Sequence, residues 1–145
     1  MPTCRQEATL IAWLSLTREL YNAALQERRD AWQKQRTSVS LYDQIKEIPA
    51  VRAERGDIAA IPVVVLRGAL RRLDRAFTAF FRRCKAGGKP GFPRFKGRGQ
   101  FESILIDDLS QTNPIVAGGK RIKVPLLGKV RFRQHRPLEG IPKAV

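Results

Sequence analysis

Residues 87–101 read GGKPGFPRFKGRGQF, and this run limits the possible folds more than any other segment. Proline lacks the backbone N–H that helices and strands use, and glycine loses the most conformational freedom on entering either. No helix or central strand passes through such a run, so it separates two structural regimes. It also carries Lys89, Arg94, Lys96 and Arg98, interleaved with Phe92, Phe95 and Phe101. Two readings follow. One is a linker whose phenylalanines tuck into the neighbouring structure. The other is a loop that clamps a phosphate backbone and stacks an aromatic on a base. The cations favour contact with an anion, and the aromatics favour packing.

Upstream, the pattern is helical. Thr3 followed by Gln6 has the form of a capping box. Leu10, Trp13, Leu14, Thr17, Leu20, Tyr21, Ala24, Leu25, Arg28 and Trp32 then recur at helical spacing, predicting a helix over about 4–35. Ser40 before LYDQIKEI is the next N-cap, and Pro49 is expected to end that helix. Residues 49–61 are ambiguous, with a short helical turn and a break at Gly56-Asp57. Pro62 suits the first position of a third long helix, whose apolar residues run from Leu66 through Ala69, Leu70, Leu73, Phe77, Phe80 and Phe81 to Cys84. Gly87-Gly88 ends it. Gly68 inside it costs about 1 kcal/mol relative to alanine, which points to close helix packing there. Arg67, Arg71, Arg75 and Arg82 fall opposite the apolar set, within about 80° of one another at 100° per residue.

Downstream of residue 100 the period changes to that of strands. FESILI, GKRIKVPLL and GKVRFR read as short strands, with turns at AGGK (117–120) and LLGK (126–129). In GKVRFR, Val130 and Phe132 alternate with Lys129, Arg131 and Arg133, giving one apolar and one cationic face.

The charge is localised. Of a net +15, residues 67–98 hold +10, from eleven cations against Asp74 alone, and residues 120–145 hold +7. Such blocks favour a binding face over a generally solvated surface, with nucleic acid the first candidate partner and an anionic membrane a weaker one. No apolar run approaches a membrane span, and the first ten residues lack the apolar core of a signal peptide. A bond between Cys4 and Cys84 is open, but two cysteines make no secreted disulfide framework; the expectation is a reducing, cytoplasmic chain. His135 is the only histidine, too little for a zinc site or a catalytic constellation. Asp107-Asp108 point to opposite faces if in a strand, and no phosphate loop, dinucleotide fingerprint or nucleophile elbow occurs.

Four segments in this order, TRELYNAALQERRDAW, LRGALRRLDRAFTAFFRRCKAG, KPGFPRFKGRGQFES and VPLLGKVRFRQHRPLEG, resemble the TnpB (OrfB) proteins of bacterial insertion sequences. These are transposon-associated RNA-guided nucleases, and the resemblance covers nearly the whole chain. It implies a helical recognition lobe inserted into a β-barrel wedge domain, both holding guide RNA and helping to recognise a short motif beside the DNA target. By the same resemblance the RuvC-like nuclease and zinc ribbon lie downstream of this chain. Where the family often places polar residues in the first turn of the third helix, this sequence has Pro62-Val63-Val64-Val65. The helix-turn-helix description given to this region does not suit a first helix this long.

The sequence therefore predicts an α+β chain: a bundle of about three main helices over 1–88, then a basic loop and a partial antiparallel β segment of an incomplete barrel over 89–145. The expected function is binding of structured guide-type RNA and/or double-stranded DNA, without catalysis, metal, cofactor, small-molecule substrate or membrane. The alternatives are a stand-alone DNA-binding protein of a transposable element and a non-functional remnant. Candidate contact residues are Arg67, Arg71, Arg72, Arg75, Arg82, Arg83, Lys89, Arg94, Lys96, Arg98, Lys129, Arg131, Arg133, His135 and Arg136.

Overall fold

The computed structural model describes residues 1–106, 115–116 and 120–133. Helix α1 runs Cys4–Gln35 and opens on the expected capping box: Gln6 N–H donates to Thr3 Oγ1 at 3.3 Å, and Thr3 N–H to Gln6 Oε1 at 3.1 Å. Its buried stripe is Trp13, Thr17, Tyr21, Ala24 and Leu25. Arg36 ends it in the left-handed region at φ 53°, a position that usually favours glycine.

Helix α2 runs Leu41–Glu54 and begins on a second capping box, Ser40 with Asp43. The Ser40 hydroxyl and N–H both donate to the Asp43 carboxylate and hold its pKa below the usual value. The helix does not stop at Pro49, which lies inside it. Proline removes the bond to the carbonyl four residues back and crowds that carbonyl, a local cost of about 3 kcal/mol. Ile48, 4 % exposed, and the partly buried Val51 keep the flanking turns on the core, and Pro49 faces solvent. The ambiguous stretch then forms a single turn, α3 (Gly56–Ala59), tied back to α1 by Arg55, which reaches Asp57 at 2.6 Å and Glu19 at 3.4 Å.

Helix α4 runs Val63–Lys85, with Pro62 just outside as the N-cap. It closes in a Schellman motif: Gly88 N–H donates to Arg83 O and Gly87 N–H to Cys84 O, both at 3.2 Å, with Gly87 at φ 70°. α1 and α4 lie side by side and run the same way. Thr17 borders Val65 and Ala69, Arg28 pairs with Asp74, and Trp32 faces Phe80 and Phe81. α2 returns between them in the opposite direction, with Gln44 beside Ala24 and Val51 beside Leu20. Leu25, Ile61, Val65, Leu66, Leu70 and Leu73 are buried almost completely, each worth about 1.5–3 kcal/mol of removal from water.

A polar network joins the three helices at the edge of this core. Arg28 donates to Asp74 Oδ1 at 3.2 Å and to Gln44 Oε1 at 2.9 Å, and its guanidinium lies 5.0 Å from the Phe77 ring centre. The Gln44 amide in turn donates to Ala24 O at 2.9 Å and Glu27 Oε2 at 2.7 Å.

FESILI is not a strand: residues 101–106 form no ladder. They lie instead as an extended strap on α4, burying Phe101 and Ile106. Gly68 makes this possible. A Cβ there would collide with the Leu105 carbonyl oxygen and sit 2.9 Å from its carbon. The close approach at Gly68 is therefore with this strap and not with the helix that the sequence led one to expect, because the notch admits an extended backbone.

The antiparallel sheet has the order β1-β2-β3, with β1 Ile115–Val116, β2 Arg121–Val124 and β3 Gly128–Arg131. β2 is shorter than the GKRIKVPLL reading because Pro125 has no N–H for the ladder and begins the turn instead. Leu127 N–H closes that turn on Val124 O at 3.2 Å, with Leu126 at φ 63° and Gly128 at φ 79°. The hairpin is held at the N-terminus of α1: Gln6 Nε2 donates to Leu127 O and Lys129 O, each at 3.2 Å. Val124 and Val130 join the same buried cluster as the helices. The α-then-β order expected from the sequence is the order observed.

Candidate nucleic-acid interface

Helix α4 sorts its cations by direction. Arg71, Arg75 and Arg82 are exposed on the outer face, and Arg67 beside them is half-buried. The only acid of the helix, Asp74, is drawn away from them into the pair with Arg28. No carboxylate of α4 is thus left to offset the outer face. Arg72 and Arg83 lie on the flank. Arg72 stacks over Phe101 at 4.5 Å and donates to Ser103 Oγ at 2.8 Å, and burial pulls its pKa down from the ordinary arginine value. Phe101 also packs against Tyr21, ring centres 5.7 Å apart. Arg83 donates to Gly91 O at 3.3 Å, which holds the start of the glycine-proline run.

The run itself is fastened to α1 by a side chain with no local sequence signal. Asn22 receives Lys96 N–H at 2.8 Å and donates to Lys96 O at 2.9 Å, pairing with the loop backbone as a strand would. Phe92 packs edge-on against Phe77 and Phe80, at 5.6 and 5.3 Å. The Arg29 guanidinium sits over Phe92 and Phe95, at 5.9 and 5.4 Å. The loop aromatics therefore hold the loop to the protein, and Lys89, Arg94 and Arg98 are left exposed.

The third cationic element is the β2–β3 hairpin. Its register sets Arg121 opposite Arg131 and Lys123 opposite Lys129, with Ile122 opposite Val130 between them. Alternation sends the apolar pair toward the core and all four cations to the other, exposed face. Like charges directly opposite destabilise a ladder, so this face gains from any anion laid across it. Arg121 and Lys123 were not among the residues picked out by sequence. The period-2 signal was present in RIKV, but only the register shows that they double the charge of the next strand. Arg133 is exposed, while His135 and Arg136 lie outside the described residues.

Among the described residues no three His, Cys, Asp or Glu side chains gather as a metal set, and no helix is long and apolar enough to cross a membrane. Cys4 and Cys84 are free and exposed.

Residues 1–37 match the family model of a helix-turn-helix domain found in OrfB proteins. In this chain nearly all of those residues form one continuous helix, so the matched segment holds no turn between two helices. The chain is also similar to the candidate RNA-guided DNA endonuclease InsQ of Escherichia coli (strain K12). The two are 36% identical over 87 residues, 58% of this chain and 19% of that protein. The chain thus spans about a fifth of its relative's length. Both findings bear out the resemblance to the N-terminal part of TnpB (OrfB) proteins and support a nucleic-acid-binding N-terminal portion.

Proposed function

We propose that the chain is the nucleic-acid-holding N-terminal portion of a TnpB-like protein, binding structured guide-type RNA and target DNA without itself carrying a catalytic residue. The observation that carries this reading is the outer face of α4, where Arg71, Arg75 and Arg82 are exposed and the helix's one acid, Asp74, is paired with Arg28 of α1. Arginine forks match phosphate geometry and fix register on a backbone without reading bases. The exposed loop cations and the like-charged hairpin ladder support extension of the same contact, and similarity to a candidate RNA-guided DNA endonuclease supports RNA as one partner. In this reading residues 1–88 are the helical recognition part and 89–145 the basic loop and wedge-like part. Arg72 and Arg83 brace the strap and the loop while their outer edges face the ligand.

The test is a triple reversal, Arg71→Glu with Arg75→Glu and Arg82→Glu, in a filter-binding assay against a structured RNA and a duplex DNA. Wild-type affinity should fall steeply with salt, and the triple variant should lose binding to both. Unchanged affinity in the triple variant would overturn the assignment of this face.

A further inference from the structure

Between the C-terminal halves of α1 and α4 lies an open groove of about 480 Å³, away from the outer arginine face. Its walls are Trp32, Phe77, Phe80, Phe81 and Phe92. Packing inside the protein explains only part of this cluster. Trp32 is 54 %, Phe81 55 % and Phe92 44 % exposed, whereas Phe77 is buried. Large exposed aromatics gathered in one concavity mark a binding site.

The chemistry of the rim selects the occupant. Two arginines outside the inter-helix network stand over wall rings, Arg29 over Phe92 and Arg36 over Trp32 at 5.6 Å, whereas Arg28 beside Phe77 is spent on Asp74. Gln33 and Thr37 supply polar atoms along one edge. A second copy of this chain brings the same +15 charge and is repelled from such a rim. An unpaired nucleotide fits every part: its base offers flat faces to the rings and a polar edge to Gln33 and Thr37, and its phosphate meets Arg29 and Arg36. A duplex does not fit, because its base faces are already stacked.

We infer that this groove is a stacking site for unpaired bases of a single-stranded nucleic acid. The inference rests on the nucleic-acid-binding reading above and extends it. Phe92 belongs to the cationic loop, between the exposed Lys89 and Arg94, so the groove opens beside cations that hold the backbone of an entering strand.

The experiment compares a single-stranded oligouridylate with a blunt duplex of equal length at one salt concentration. Tryptophan fluorescence reports the groove directly, because the other tryptophan, Trp13, is 5 % exposed. The single strand should quench Trp32 and the duplex should not. Trp32→Leu with Phe81→Leu should weaken single-strand binding by roughly 5- to 150-fold, the range for loss of one stacked base, while duplex affinity and salt slope stay within about twofold. Both side chains are more than half exposed, so the variant should keep its fold; the single Phe81→Leu variant, checked by circular dichroism, decides the matter if the double variant does not. Wild-type single-strand affinity in the variants overturns the inference and leaves the arginine-face reading standing. Equal loss for strand and duplex, or self-association abolished by the substitutions, also overturns it. Failure of the wild type to bind either nucleic acid sinks both readings.

Discussion

Replacing Gly68 by alanine tests the least expected packing in this fold. In an exposed helix interior the change should stabilise by about 1 kcal/mol through helix propensity. Here the new Cβ overlaps the Leu105 carbonyl oxygen and lies 2.9 Å from its carbon and 3.2 Å from its Cβ. The obstacle is backbone, which cannot swing aside as a side-chain tip does. Overpacking costs about 1–3 kcal/mol, and a clash against backbone sits at the upper end. Setting about 3 against about 1 leaves a net destabilisation of about 2 kcal/mol, roughly 8 °C in Tm for a chain of this size. The strap from Phe101 to Ile106 should loosen, so amide exchange at those residues should accelerate more than in α2. Gly56→Ala is the matched control, since nothing lies within 4 Å of its added Cβ and its φ is not positive; its Tm should hold or rise. Differential scanning calorimetry of the two variants gives the answer. A Tm for Gly68→Ala at or above wild type would mean that propensity prevails and that the strap does not sit on α4 as described.

Three further substitutions probe other links. Arg28→Met strips the inter-helix network of its donor and leaves Asp74 and Gln44 unsatisfied; because Asp74 is more than a third exposed, water recovers part of the loss, and urea melts should show about 1–3 kcal/mol. Glu47 has its pKa raised above 4.5, first by desolvation and then by neighbouring Glu27. The folded state therefore holds that proton more tightly than the unfolded chain. Its contribution is complete below the unfolded pKa and is lost as pH rises through the folded one, so Glu47→Gln should raise Tm slightly at neutral pH and leave it unchanged in acid. Lys123→Glu turns the Lys123–Lys129 repulsion into an opposite-charge pair, which should stabilise the hairpin by about 0.2–1 kcal/mol while lowering the salt slope of nucleic-acid binding by about one unit. A variant that loses stability together with binding would count against the ladder as a phosphate contact.

Local rules made the helix starts legible. Thr3 with Gln6 and Ser40 at the second helix are capping residues whose partners lie within three positions, so the sequence alone placed them. The end of α4 at Gly87-Gly88 and the Arg71, Arg75 and Arg82 face followed for the same reason, one from the left-handed glycine and the other from helical periodicity. Pro49 was misread because the cost of a proline inside a helix is local, whereas the burial of Ile48 that offsets it is tertiary. FESILI has a short apolar run of the kind strands use, but a strand needs a partner, and in the fold this segment lies on the Gly68 notch of α4.

For the candidate site the division is the same. The sequence determined how many cations there are and on which helix or strand face each falls, since those depend on backbone period alone. Only the tertiary structure decided which of them remain available. It paired Asp74 with Arg28, laid Arg72 on Phe101, pinned the glycine-proline loop through Asn22, and set Arg121 against Arg131 and Lys123 against Lys129. Each of these is a contact between residues distant in the chain, fixed by packing geometry and strand register, and no local pattern encodes it.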